Sequence, residues 1–295
     1  MLDEAEQVLH GYLDEHGGSA EAHFLLGYTY FEQLHQKASS PAGERSPEFA
    51  SLAGVDPKTS DAKAGASLAE YTEGAKYRVP SAFDLKVVAL DYVLLRDYAD
   101  ADKWLTKAMM WNPKDSEGWY YLGRTKYKEN RFAEAISAFQ QCLMLDGKNV
   151  KAEDNLGLSY QGLGRSADAT AAYRAAIAWQ ENMLHQDPGP FVNLGALLLD
   201  ENHPEEAAGY LVRAVAISPQ ESRGHEQLGK AYDRLGQLAK AQSEFEKAVE
   251  LAPENARLHY MLGQVYRKQG LADKAKLELD RSAALRSAHP SSEEE

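Results

Sequence analysis

The residues best suited to chemistry in this chain are three close glycines, nine histidines, one cysteine and 45 carboxylates. Gly157, Gly162 and Gly164 resemble a loop that cradles phosphates on backbone N–H groups. That chemistry needs a strand before the loop and a Lys-Ser or Lys-Thr after it, and neither stands there. A metal site needs several ligands brought to one point. His10, His16, His35, His185, His203 and His289 show no such spacing, and His23, His225 and His259 recur far apart along the chain. Cys142 stands alone, which excludes an internal disulfide and a cysteine-based zinc cluster. Neither a Ser/His/Asp nor a Cys/His set is suggested. The carboxylates fall mostly on exposed helix faces and in first turns, where they suit the helix dipole. No catalytic residue, metal or cofactor is expected, and the chain is not read as an enzyme.

The elements that carry these residues follow one period. Gly123, Gly157, Gly195, Gly229 and Gly263 each follow a leucine, at separations of 34, 38, 34 and 34 residues. In a frame of 34 beginning at residue 116, small residues recur at positions 8, 20 and 27, and large apolar ones at 7, 11 and 24. Small residues let two helices approach closely, and the large ones fill the space between neighbouring hairpins. Pro113, Pro219 and Pro253 end the second helix, because proline cannot donate its backbone bond to a continuing helix. Each hairpin alone leaves an apolar face wet, so only stacking on neighbours buries it. His23, His225 and His259 all fall at position 4, where Trp119 stands in the unit at 116, and Cys142 takes a small-residue position.

The pattern Trp119, Leu122-Gly123, Ala135, Phe139 and Cys142, repeated with Tyr160, Tyr232, Tyr266, Pro219 and Pro253 in register, resembles the tetratricopeptide repeat. The resemblance covers most of residues 20–289. It implies an all-α fold, a right-handed α-solenoid of about seven helical hairpins with an N-terminal half-repeat helix at 3–16. The units are 20–81, 82–115, 116–149, 150–187, 188–221, 222–255 and 256–289, followed by a disordered acidic tail at 290–295. Because Ala5 and Leu9 keep the register of a second helix, the chain reads as beginning in mid-hairpin, and upstream sequence is expected to have been removed. The first full unit carries an insertion at 38–62, expected either as a mobile surface loop or as a lid that folds Phe49 and Leu52 into the groove.

Composition adds exclusions. The 32 basic and 45 acidic residues give a net charge of −13, which argues against nucleic acid as a partner. No apolar run reaches the ~20 residues of a membrane helix, so no membrane insertion is expected. The compartment is open: cytoplasmic by default, exported if a leader has been removed.

What the resemblance implies about function lies in positions 2, 5, 9, 12 and 13 of the first helices, which usually meet a ligand in this family. Carried over, these give Tyr120, Arg124, Tyr127 and Lys128 from one unit. The units at 222 and 256 give Arg223, Lys230 and Arg234, then Arg257, Tyr260, Gln264, Arg267 and Lys268. The expectation is a groove basic toward the C-terminus with an aromatic step at Tyr120 and Tyr127, holding a peptide or protein segment, an acidic one if the cations are free. The competing expectation is ordinary solvated charge, with Glu226 and Asp233 pairing some of the cations. Asn155 and Asn193 occupy the middle of the clamp that chaperone-binding members use, but the flanking units lack its lysines and asparagines. An alternative function is a structural subunit, a homo-oligomer formed through uncapped terminal repeats with Leu277, Leu279 and Leu285 exposed.

Overall fold

Each leucine–glycine pair sits inside the first helix of a hairpin, and a large side chain sixteen residues later lies flat against the glycine. A Cβ on Gly123 would stand 2.6 Å from the Phe139 ring, and one on Gly229 would stand 2.8 Å from that of Phe245. Both rings are buried, so neither can move aside. This contact fixes how closely the two helices of a hairpin approach.

The computed structural model describes residues 1–38 and 57–288, and these form fifteen α-helices and no strand. The chain divides into two compact units, Met1–Ala152 and Glu153–Glu295. In the first, α1 (Leu2–Glu15) packs on α2 (Ala20–Ala38), which pairs with α3 (Pro57–Gly74). Then α4 (Ala82–Leu94) pairs with α5 (Tyr98–Trp111), and α6 (Ser116–Lys128) with α7 (Phe132–Leu145). The second unit holds all but the first turn of α8 (Val150–Gly162), followed by α9 (Ser166–Trp179), and the pair α10 (Gly189–Asp200) and α11 (Pro204–Ile217). Its last pairs are α12 (Ser222–Arg234) with α13 (Leu238–Leu251), and α14 (Ala256–Lys268) with α15 (Ala272–Ala288). Successive hairpins stack within each unit, α5 on α6 in one and α11 on α12 in the other. The fold is an all-α helical-repeat solenoid. No helix of the described residues is long and apolar enough to cross a membrane.

The insertion is shorter than the sequence suggests. The helix after it was expected near Ala62, but α3 already begins at Pro57. Proline suits the first helical position because its missing N–H has no helical acceptor there. Phe49, Leu52 and the tail 290–295 lie outside the described residues.

Two positions of the repeat carry the geometry between helices. Position 15 turns the chain from first to second helix with positive φ: Gly164 (71°), Gly236 (69°), Gly270 (77°), Asn130 (58°), Asn202 (62°) and Arg96 (60°). Position 4 ties a repeat to the one before. Trp119 Nε1 donates to the Pro113 carbonyl at 3.0 Å, and His225 and His259 Nε2 make the same bond to Pro219 (3.1 Å) and Pro253 (2.9 Å). His23 does so with Gly17 at 3.3 Å. The histidines therefore replace tryptophan because both rings offer an N–H at this point. Their Nδ1 atoms meet Glu70, Glu244 and Glu278 at 2.6–2.7 Å. In the unit at 188 the position holds Phe191, which has no donor. The four extra residues before it are instead tied down by buried Gln180, which accepts from Asp187 N at 2.6 Å and donates to Asp187 O at 3.1 Å.

The last helix, at 17 residues, is longer than the 14-residue second helices α5, α7, α9, α11 and α13. Leu285, at the position where α13 ends, is buried, and Ser282 donates to the Ala256 carbonyl at 2.7 Å. Of the three leucines expected on an open end, Leu285 is buried, Leu279 lies on Gly263, and Leu277 is 68% exposed.

Candidate interaction faces of the two units

In the C-terminal unit the first helices α10, α12 and α14 lie side by side, joined by polar contacts that run from helix to helix. Arg223 donates to Asn193 Oδ1 at 2.7 Å, and Asn193 Nδ2 donates to both oxygens of Asp154 on α8, at 2.8 and 3.0 Å. Arg234 donates to the Leu199 carbonyl of α10. Lys230 stands 2.6 Å from Glu226, which Arg257 of α14 also approaches at 3.7 Å. Lys268 meets both carboxylate oxygens of Asp233 at 2.6 and 2.7 Å. Burial pushes the Lys230 ammonium down even though the Glu226 carboxylate supports its charge.

The expected residues divide accordingly. Arg223, Lys230 and Lys268 are engaged inside the face. Arg257 is 66% exposed with one long contact, and Arg267, exposed on the same helix, donates to Gln264. Arg234 is exposed too, and among the described residues neither it nor Arg267 has a carboxylate partner. Tyr260 is exposed and lies 6.0 Å from the guanidinium of Arg286. Asn193 is buried in its own ladder and is not available as a clamp residue.

The aromatic step does not stand where it was expected. Tyr120 is 7% exposed and packs 6.1 Å from the Phe139 ring, centroid to centroid, as part of the core of its hairpin. Arg124 covers it at 5.7 Å, and Tyr127 sets its ring edge-on to Phe132 at 5.5 Å. Lys128 is exposed. Position 5 of this unit is therefore interior, beside the Phe139 ring.

Aromatic surface lies instead on the neighbouring first helices, at positions the sequence rule would have reached had it been extended to the units at 20 and 82. Tyr28, Phe31 and Glu32 hold positions 9, 12 and 13 of the first, and Phe83, Lys86 and Leu90 hold 2, 5 and 9 of the second. With His35, Val87 and the α6 residues Glu117 and Tyr121 they line a cavity of about 340 Å³. Tyr28 lies 6.2 Å from Phe31 and edge-on to Phe83 at 5.4 Å. A hydrogen bond from its phenol to Glu32, with burial second, pushes that phenol up to about 12. Lys86 is held between Asp115 and Glu117, at 2.8 Å from each.

Cys142 is buried and free, and burial pushes its thiol up to about 12, so it is not a nucleophile near neutral pH.

Sequence profiles described as tetratricopeptide repeat match residues 116–149, 154–183 and 226–292, and the matched stretches coincide with hairpins that share the glycine contact and the position-15 turn. The chain is a tandem tetratricopeptide-repeat array. Among curated proteins, this tetratricopeptide array is 31% identical over 122 residues to the cytochrome c-type biogenesis protein CycH of Pseudomonas aeruginosa. That alignment covers 40% of the chain but 28% of CycH, so the chain spans about a quarter of that relative's length. Among solved structures, the type IV pilus biogenesis factor PilW shares the fold with a TM-score of 0.62 at 22% identity, over 72% of this chain and 95% of that one. YrrB, a TPR protein with an unusual peptide-binding site, matches with a TM-score of 0.50 at 24% identity, over 63% and 94%.

Proposed function

We propose that the array is a non-enzymatic protein-interaction scaffold, and that the first-helix face of its C-terminal unit holds an extended acidic segment of another protein. The observation that carries this reading is the division of the cations. Arg223 and Lys268 pair with the neighbouring first helix and Lys230 with Glu226 of its own. Arg257 and Arg267 stay exposed on the same face, and Arg234, which donates to the Leu199 carbonyl, is exposed beside them. Guanidinium groups on adjacent helices suit carboxylates at successive side chains of an extended peptide, through paired charge-assisted bonds. The peptide-binding site named for YrrB supports a peptide as the class of ligand.

The test is charge reversal. An acidic decapeptide of alternating Glu and Ala, labelled for fluorescence anisotropy, binds the wild-type chain and weakens as salt rises. Arg257→Glu with Arg267→Glu lowers its affinity by about tenfold or more, each lost ion contact at a partly screened site being worth about 1 kcal/mol. Unchanged affinity in the double variant, or binding indifferent to salt, rules the acidic ligand out.

A further inference from the structure

We infer that the N-terminal unit has a second binding site, the aromatic cavity between α2, α4 and α6, and that its occupant is the cationic end of an arginine or lysine side chain on a partner protein. The site rests on the scaffold reading only in taking its ligand from a protein, and its charge preference is opposite to that of the C-terminal face.

Three features of the cavity select a cation. Its walls are ring faces and edges from Tyr28, Phe31, Phe83 and Tyr121, and ring faces attract a cation within about 6 Å of their centres. The cavity already shows this chemistry, because the Lys86 ammonium lies 5.9 Å from the centre of the Phe83 ring. The charges around it are unbalanced: Glu32 and Glu117 line it with Lys86, whose ammonium Glu117 and Asp115 already hold. Glu32 accepts a hydrogen bond from the Tyr28 phenol, and His35, the other basic residue of the lining, is held toward its neutral form by burial more than Glu32 supports its charge.

Other occupants fit worse. An apolar side chain would fill the rings but strip water from Glu32 without replacing it, which costs free energy unless the charge finds a partner. An acidic side chain would meet net negative charge. A cation satisfies both the rings and the carboxylate. The volume of about 340 Å³ sits at the small end of ligand sites, which suits one long side chain rather than a helix or a cofactor. Phe83, half exposed at the rim, leaves the entrance open to solvent.

Saturation-transfer NMR on the full chain tests this with three capped tripeptides, acetyl-Gly-Arg-Gly-amide and its leucine and glutamate counterparts. The arginine peptide is expected to bind at least about fivefold more tightly than the leucine peptide, a cation–π and ion-pair margin, and the glutamate peptide not at all. Glu32→Gln should remove that margin and the salt dependence, and Phe83→Ala should weaken arginine binding while leaving helix content by circular dichroism unchanged. Arg257→Glu should have no effect here, which separates failure of this site from failure of the C-terminal face. Equal binding of the leucine peptide, full affinity in Glu32→Gln, or no binding of the arginine peptide up to its solubility would overturn the proposal.

Discussion

Asp91 is completely buried in α4, and its Oδ2 lies 2.6 Å from Ser67 Oγ, which in turn lies 2.9 Å from the Gly27 carbonyl. Ser67 has one hydroxyl proton for two acceptors. If Asp91 is protonated, it donates to Ser67 and Ser67 donates to Gly27, so every bond is made. Burial pushes Asp91 well above the usual carboxylate range, more than the serine bond pulls it down, which fits this direction of the chain. The linkage follows from the sign. A folded carboxyl that holds its proton more tightly than the unfolded one loses stability as pH rises above the ordinary aspartate range. Asp91→Asn keeps a donor toward Ser67 and has no charge to suppress. It should raise stability at pH 7 by about 1 kcal/mol or more and flatten the dependence between pH 4 and 7. Urea midpoints across that range check it, and a variant less stable at pH 7 would show that the ionised form is the one the fold uses. None of this was visible beforehand: Asp91 sits at position 10 of its unit, a place the repeat pattern leaves unspecified.

At the scale of the element, the hairpin turn is the part most fully written in the sequence. Gly164, Gly236 and Gly270 announce it, and asparagines at 130 and 202 tolerate the same left-handed backbone. Arg96 does not belong to that set, and its φ of 60° makes the turn between α4 and α5 strained. Arg96→Gly should stabilise the protein by about 1 kcal/mol, because a left-handed residue with a Cβ costs roughly 1–2 kcal/mol. Thermal melts decide it, and no gain would mean that the arginine side chain makes a compensating contact. The helix-packing glycines were equally legible, since Leu-Gly at period 34 has no other simple cause. The face residues were legible only in part. Positions 2, 5, 9, 12 and 13 name a helix face, but which of them reach solvent depends on the ring opposite. Tyr120 packs beside Phe139 and is buried, whereas Phe83, edge-on to Tyr28, stays half exposed at the rim. The start of α3 at Pro57 was missed because the Ser- and Pro-rich composition before Ala62 reads as loop.

For the whole molecule, the one-dimensional logic of repeats predicts stability that adds up locally. Phe139 and Phe245 are buried equivalents, one in each compact unit. Phe139→Leu and Phe245→Leu should therefore destabilise independently, with the double variant matching the sum of the singles to within about 0.5 kcal/mol in urea unfolding. A larger coupling would mean that the two sites are energetically linked along the array. The position-4 ring bonds bear on how such a chain can be divided. Trp119, His225 and His259 each close a carbonyl that belongs, by numbering, to the previous repeat. A fragment cut at residue 221 keeps Pro219 but leaves its oxygen bare, whereas one cut after His225 carries its own seal. Modules excised or grafted from this chain are therefore best bounded a few residues into the following helix, so that each severed end leaves with the lid its neighbour used to supply.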